Sequence, residues 1–171
     1  MQKRPFLAIG LAATLLLLGC NPTYNWRDYS SAEAPYRIMF PAKPATHTRN
    51  VDLDGMQVEM TMTAAEVEGV MFAVGTGTAP DPAQAQAAVA AMKTALVRNI
   101  GAKVERESTA TANNEAAVDI DAIGSANGQP MKLRGHFEAH GKRFYQVIVM
   151  GKASAVASEH SDQFISSFKL L

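Results

Sequence analysis

The run His136-Phe137-Glu138-Ala139-His140 carries the side chains best suited to hold a metal ion, because imidazoles and carboxylates are common zinc ligands. Two histidines four residues apart share one face of a helix and can bind one ion there. The neighbouring residues, however, alternate between apolar and polar, which indicates a β-strand. Along a strand the two imidazoles would lie roughly 13 Å apart. We therefore expect His136 and His140, the candidate zinc ligands, on a solvated strand face and predict no metal site.

Three methionines offer a second possible metal chemistry, since thioether sulfur is a soft ligand suited to copper(I). Met56, Met60 and Met62 lie in the segment MQVEMTMTA, where apolar and polar residues alternate without interruption. Such alternation is typical of a strand with one buried face. We expect these methionines to fill the core, where their unbranched side chains suit irregular gaps.

No arrangement of residues in the chain predicts catalysis. There is no G-x-S-x-G motif, and the glycines Gly75 and Gly77 lack the lysine of a phosphate-binding loop. The single cysteine, Cys20, lies near the N-terminus, away from any candidate base. We predict a protein that is not an enzyme and uses no cofactor.

The basic residues do not predict a nucleic-acid-binding surface. Lys132, Arg134, Lys142 and Arg143 fall on one predicted hairpin, but Glu138 lies among them, and we expect a solvated face. The whole chain has 16 basic and 16 acidic side chains, and a nearly neutral protein lacks the basic face that nucleic acid requires.

The first 19 residues have the layout of a secretory signal peptide. Lys3 and Arg4 precede an apolar run over residues 6–18, which is shorter than the roughly 20 residues that span a bilayer. The run closes with LLGC, which ends at Cys20. This motif resembles the lipobox of bacterial lipoproteins.

The lipobox resemblance implies cleavage before Cys20, transfer of diacylglycerol to its thiol and acylation of the new N-terminus. Acyl chains contribute about 0.8 kcal/mol per buried CH₂, and stable anchoring needs more than one chain. Asn21 follows the cysteine. In this family an aspartate there retains the protein in the inner membrane, so the resemblance implies the outer membrane, facing the periplasm.

Turn residues and two-residue periodicity predict an antiparallel sheet. Strands on either side of Asp54-Gly55, Glu68-Gly69, Asn113-Asn114, Asn127-Gly128 and Gly141 are expected to form hairpins. The segments VMFAVGTG and RFYQVIVMG are apolar on both faces, which is typical of central strands. In the segment PYRIMF, the side chains of Tyr36, Ile38 and Phe40 are expected on one face.

Two helices are predicted. In the first, Asp81 is a suitable N-cap, Pro82 fits the first helical position and Gly101 can end the helix in the left-handed conformation. Its expected buried residues are Val89, Met92, Leu96 and Ile100. The second runs from about 155 to 168, with Val156, Ala157, Phe164 and Phe168 on its inner side.

This order of elements predicts an α+β domain, an antiparallel sheet of about six to eight strands covered by two helices. The phrases YRIMFPAKP, FAVGTG, GKRFYQVIVMG and FISSFKLL, in that order, resemble small envelope and photosynthetic-lumen proteins with the PsbP-like fold. The resemblance implies an α/β/α sandwich over residues 35–171. We expect residues 1–19 to be the signal peptide and 20–34 a short tether whose Trp26 packs on the domain.

Two functional hypotheses follow. The first is a non-catalytic, membrane-anchored envelope lipoprotein that presents a compact domain in the periplasm to a partner protein or glycan. The alternative is a periplasmic lipoprotein that binds a small ligand or metal in a pocket between the sheet and one helix. The rings that could line such a pocket are Trp26, Tyr36, Phe72, Phe137 and Tyr145.

Overall fold

The computed structural model describes residues 22–112 and 115–171, which form ten strands and two helices. In chain order they are β1 (Arg27–Ser30), β2 (Tyr36–Phe40), β3 (Ala45–Leu53), β4 (Met56–Val67), β5 (Val70–Thr78), α1 (Pro82–Asn99), β6 (Lys103–Ala112), β7 (Glu115–Ala126), β8 (Gln129–His140), β9 (Arg143–Lys152), α2 (Ser158–Ser166) and β10 (Lys169–Leu170).

Seven strands form one antiparallel sheet in the order β3-β4-β5-β9-β8-β7-β6, and β1, β2 and β10 form a small second sheet. The two strands predicted to be central, β5 and β9, are neighbours in the middle of the large sheet. Their doubly apolar pattern is explained by cover on both faces. Helix α1 lies on one face, and the small sheet with α2 lies on the other.

Helix α1 begins and ends where the sequence predicts. The Asp81 carboxylate accepts a hydrogen bond of 2.8 Å from the backbone N–H of Gln84, and Pro82 occupies the first turn. Gly101 has φ +53° after the last turn. Val89, Met92 and Ile100 are buried, while Leu96 is partly buried against the same core.

The strand that contains the three methionines packs its apolar face under α1, as predicted. Met60 is buried, and Met56 and Met62 are partly buried against the same cluster. The opposite face of β4 is apolar only at the C-terminal end of the strand, where Ala65 and Val67 join a second core on the other side of the sheet. The residues on this face change from polar to apolar because the small sheet and α2 cover only the C-terminal part of it.

The second core is built from aromatic rings. Tyr36, Phe72 and Tyr145 are 1% exposed, and Phe164 of α2, which is fully buried, lies with its ring centroid 5.4 Å from that of Phe72. Trp26 packs edge-on against Phe72 with centroids 6.1 Å apart, which confirms its predicted packing.

The predicted second helix is too long. The observed helix α2 spans only Ser158–Ser166. Ala157, expected on the inner side of the helix, is its exposed N-cap residue. Phe168 lies beyond the helix and packs against Tyr36 and Tyr145. The chain leaves the helix early because Lys169 and Leu170 pair with β2 as strand β10.

Three predicted hairpin turns are confirmed by positive φ at both central residues, the conformation of a type I′ turn. These turns are Asp54-Gly55 (φ 53° and 89°), Glu68-Gly69 (51° and 74°) and Asn127-Gly128 (51° and 75°). Gly141 also has positive φ, 56°, between β8 and β9. The predicted turn at 113–114 lies outside the described residues.

The folded structure begins before residue 35, the predicted start of the domain. Strand β1 falls within the segment predicted as a tether and pairs with β2 from Arg27↔Phe40 to Ser30↔Arg37. The predicted signal peptide and Cys20 lie outside the described residues. Within the described ranges, no helix has the length and apolar character needed to cross a bilayer.

Replacing Phe164 by alanine should lower the free energy of unfolding by about 3–5 kcal/mol, because it removes a buried ring that joins α2 to the sheet. Urea unfolding followed by Trp26 fluorescence measures this loss. The control Glu159→Ala, at an exposed position of the same helix, should change stability by less than about 0.5 kcal/mol. A loss below about 1 kcal/mol for Phe164→Ala would show that α2 contributes little to the core.

Candidate functional site

The face of the large sheet that carries the small sheet is covered only in part. Its core residues come from β4, β5 and β9, whereas β8, β7 and β6 contribute none among the described residues. Beyond α2 these three strands form the floor of an open groove of about 460 Å³. We call it the charged groove, defined by Arg106, Asp121, Arg134 and Asp162.

Four side chains of alternating charge cross the charged groove. Arg134 of β8 donates from Nε to Asp121 of β7 at 2.8 Å and from Nη1 to Asp162 of α2 at 2.6 Å. Arg106 of β6 binds the other oxygen of Asp121 at 2.6 Å. The row therefore links α2 to β8, β7 and β6 through ion pairs.

The strand register explains why these side chains meet. Arg106 is directly opposite Asp121, and Asp121 is directly opposite Arg134, so the three side chains project from the same face. Opposite charges at facing positions stabilise an antiparallel pair. A β-bulge between Val104 and Arg106 shifts the register of β6. Without it, Arg106 would share the face of Val104, under α1.

Burial makes the central pair of the row strong and hard to separate. The Arg134 side chain is 12% exposed and that of Asp121 22% exposed. Burial raises the pKa of Asp121, but the hydrogen bonds and charges of Arg134 and Arg106 outweigh it and lower the pKa below its usual range. Likewise, burial lowers the pKa of Arg134, and the two aspartates outweigh this and raise it. Both groups are therefore ionised at neutral pH.

His136 lies beside the row with a carboxylate on each ring nitrogen. Nδ1 is 2.7 Å from Asp119 and Nε2 is 3.3 Å from Glu138. Burial lowers the pKa of His136, but its hydrogen bonds to Glu138 and Asp119 and their charges outweigh this and raise it. The predicted solvated face is wrong at this position, since the side chain is 19% exposed. His140 is exposed at the end of β8.

The other candidate groups of the sequence are dispersed by the fold. Lys132 and Arg134 border the charged groove, whereas Lys142 and Arg143 lie at the opposite end of the β8–β9 hairpin. Arg134 is not solvated as predicted, because two aspartates enclose it. In the described part of the chain no three His, Cys, Asp or Glu side chains are grouped to hold a metal ion.

Sequence reasoning missed most of the charged groove, although one signal was present. Counting back from the Asn127-Gly128 turn places Asp121 opposite Arg134 and Asp119 opposite His136. The contribution of Arg106 depends on a bulge, and that of Asp162 on how α2 docks, and neither has a sequence signal. The assembled groove offers paired charges of both signs beside the apolar side chain of Ile165 in α2, which suits recognition of another molecule.

Replacing Asp121 by asparagine should lower the free energy of unfolding by about 1–3 kcal/mol, because a largely buried guanidinium loses one of its two carboxylates. Chemical denaturation at pH 7 measures it. The exposed Asp28 provides the control, since Asp28→Asn should leave stability within about 0.5 kcal/mol of wild type. Equal effects of the two substitutions would contradict the role given to the Arg134 pair.

The stability contributed by His136 should depend on pH. Its pKa is raised in the folded protein, so the contribution is complete below the unfolded value of about 6.5 and is lost as pH rises through the folded pKa. The loss of stability caused by His136→Gln should therefore be larger at pH 5.5 than at pH 8.5. Asn50→Ala, which changes a non-titratable residue at an exposed position of β3, should show no such dependence. A pH-independent cost for His136→Gln would refute the raised pKa.

Comparison with known proteins bears on the fold. No protein-family model and no curated protein matches the chain. The structure is similar to the solution structure of cyanobacterial PsbP (CyanoP) from Synechocystis sp. PCC 6803, with a TM-score of 0.55 and 11% identity, covering 90% of this chain and 96% of that one. It also matches PA94 from Pseudomonas aeruginosa, a putative regulator of unknown function, at a TM-score of 0.37 and 14% identity over 75% of this chain and 84% of that one. The chain therefore has a PsbP-like α+β fold, which confirms the predicted fold class.

Proposed function

We propose that the protein is a non-catalytic lipoprotein of the bacterial envelope whose domain binds a partner protein or glycan. In this proposal residues 1–19 are removed as a signal peptide and Cys20 carries the lipid. The support for the anchor is the LLGC motif behind a short apolar run, and Asn21 favours the outer membrane, facing the periplasm.

The charged groove is the observation that carries the binding role. Its largely buried charges, Arg134 and Asp121, are paired with each other and with a second partner each. A general base must take up a proton from its substrate, and the lowered pKa of Asp121, held by Arg134 and Arg106, makes its carboxylate a weak base. Charges of both signs fixed in one groove instead favour a partner surface with complementary charges.

The proposed anchor would hold the charged groove close to the membrane. The ring of Tyr24 stacks on that of His160 in α2, with centroids 3.8 Å apart. Four residue steps separate Cys20 from Tyr24, which is at most about 14 Å of extended chain. Because α2 also forms one wall of the groove, a partner would bind within a short distance of the bilayer.

The alternative, a small ligand held among the aromatic rings, has less support. Tyr36, Phe72, Phe137 and Tyr145 are at most 1% exposed and fill the two cores. Trp26 packs on Phe72 and His160. A ligand among these rings would have to displace core contacts, so we prefer binding at the surface.

Intact mass spectrometry of the membrane-extracted protein tests the anchor. The expected mass is that of residues 20–171 with glycerol and three acyl chains, because the lipobox directs cleavage and acylation at Cys20. The variant Cys20→Ala should carry no lipid.

A matched control is Asn21→Asp, which leaves the cysteine intact. It should carry the same glycerol and acyl chains as the wild type and move to the inner-membrane fraction. Wild-type protein that is unmodified, or that still carries its first 19 residues, would contradict the anchor.

A further inference from the structure

A second polar groove lies at the other margin of the same sheet face. The turn between β1 and β2 leans over β3, β4 and β5 and leaves two adjoining depressions of about 280 and 210 Å³. Both are lined by Glu33 and Thr61. We call this the threonine groove, defined by Glu33, Thr61, Thr63 and Thr76.

Paired hydroxyl groups line the threonine groove. Thr46 faces Thr63 and Thr48 faces Thr61 across β3 and β4, with Oγ1–Oγ1 distances of 3.1 and 2.8 Å. The carboxylate of Glu33 accepts a hydrogen bond of 3.4 Å from Thr61. This arrangement fixes the hydroxyl positions, so a ligand would meet donors and acceptors that are already oriented.

One hydroxyl in the wall of this groove has no partner. Thr76 of β5 is 4% exposed, and its Oγ1 makes no hydrogen bond to any described residue. Buried hydroxyls are nearly always paired, because an unpaired one carries the full cost of its lost hydration. The unpaired hydroxyl is an observation separate from the cluster of carboxylates. It indicates that a bound molecule completes the groove.

The chemistry of the lining selects the ligand class. The carboxylates of Glu33 and Glu59 accept hydrogen bonds, the guanidinium of Arg143 donates them, and the threonine hydroxyls do both. Two carboxylates against one guanidinium disfavour an anion. At the other end, the ring of Tyr29 offers an apolar surface. A ring with hydroxyls on its edge and C–H groups on its face matches all of these features.

The geometry points to the threonine groove as a binding site for a neutral saccharide. Hydroxyls of one sugar unit lie between the carboxylates of Glu33 and Glu59 and the guanidinium of Arg143, and its C–H face rests towards Tyr29. The pair of depressions has room for one or two sugar units. The site deepens the glycan-binding part of the function proposed above but requires neither the lipid anchor nor the charged groove, so its failure would leave those two proposals standing.

Calorimetric titration of the membrane-extracted protein, in a detergent without sugar, tests the site. The probes are three neutral disaccharides, N,N′-diacetylchitobiose, maltose and cellobiose. At least one should bind with a dissociation constant of about 1 mM or tighter, the range that a few hydrogen bonds support. No heat of binding from any of the three at 50 mM would overturn the proposal.

Matched variants locate the binding. Glu33→Gln and Thr76→Val should each weaken it at least tenfold, while Glu66→Gln, an exposed carboxylate of β4 outside the groove, should leave it unchanged. Glu33 is exposed, so its variant should fold normally, and Thr76→Val should melt at or above the wild-type temperature because it removes an unpaired hydroxyl. Binding that survives both groove substitutions, or that Glu66→Gln weakens equally, would place the sugar elsewhere and refute the site.

Discussion

The structure depends on the need to cover both faces of β5 and β9. These strands are apolar on both sides, and an exposed apolar face would cost about 25 cal/mol for each Å² left in water. One face is covered by a single long helix, α1. The other face is covered by three short strands and a helix of nine residues, whose apolar core takes its large-sheet residues from β4, β5 and β9. The margins of that face remain open.

Both candidate sites arise at these open margins. Side chains there are neither fully buried nor fully solvated, so they must satisfy their polar groups locally. The β6–β8 margin does this with alternating charges around Arg134, and the β3–β5 margin does it with paired threonine hydroxyls. Thr76 is the exception, with a buried hydroxyl that the described residues leave unpaired. The same partial cover thus yields one candidate surface rich in ion pairs and one lined mainly by hydroxyl groups.

The sequence predicts the fold well because its local signals agree with the tertiary structure. Asp81 caps α1, two turns have the Asp-Gly or Asn-Gly pair that favours a type I′ hairpin, and β5 and β9 are apolar on both faces because they are central. The sites were harder to predict, because they depend on tertiary register. A bulge in β6 turns Arg106 towards the charged groove, and the docking of α2 brings Asp162 within 2.6 Å of Arg134. The periodicity of the residues predicts neither of these two features.

If the proposal is right, the margin left open beside α2 binds another molecule in the cell. Photo-crosslinking in living cells tests it most directly, with a photoreactive amino acid placed either at Ser166, which lines the charged groove, or at Thr94, exposed on α1 at the opposite face of the sheet. The account predicts a discrete crosslinked species from position 166 and none from position 94. Crosslinking from position 94 alone, or from neither position, would contradict it.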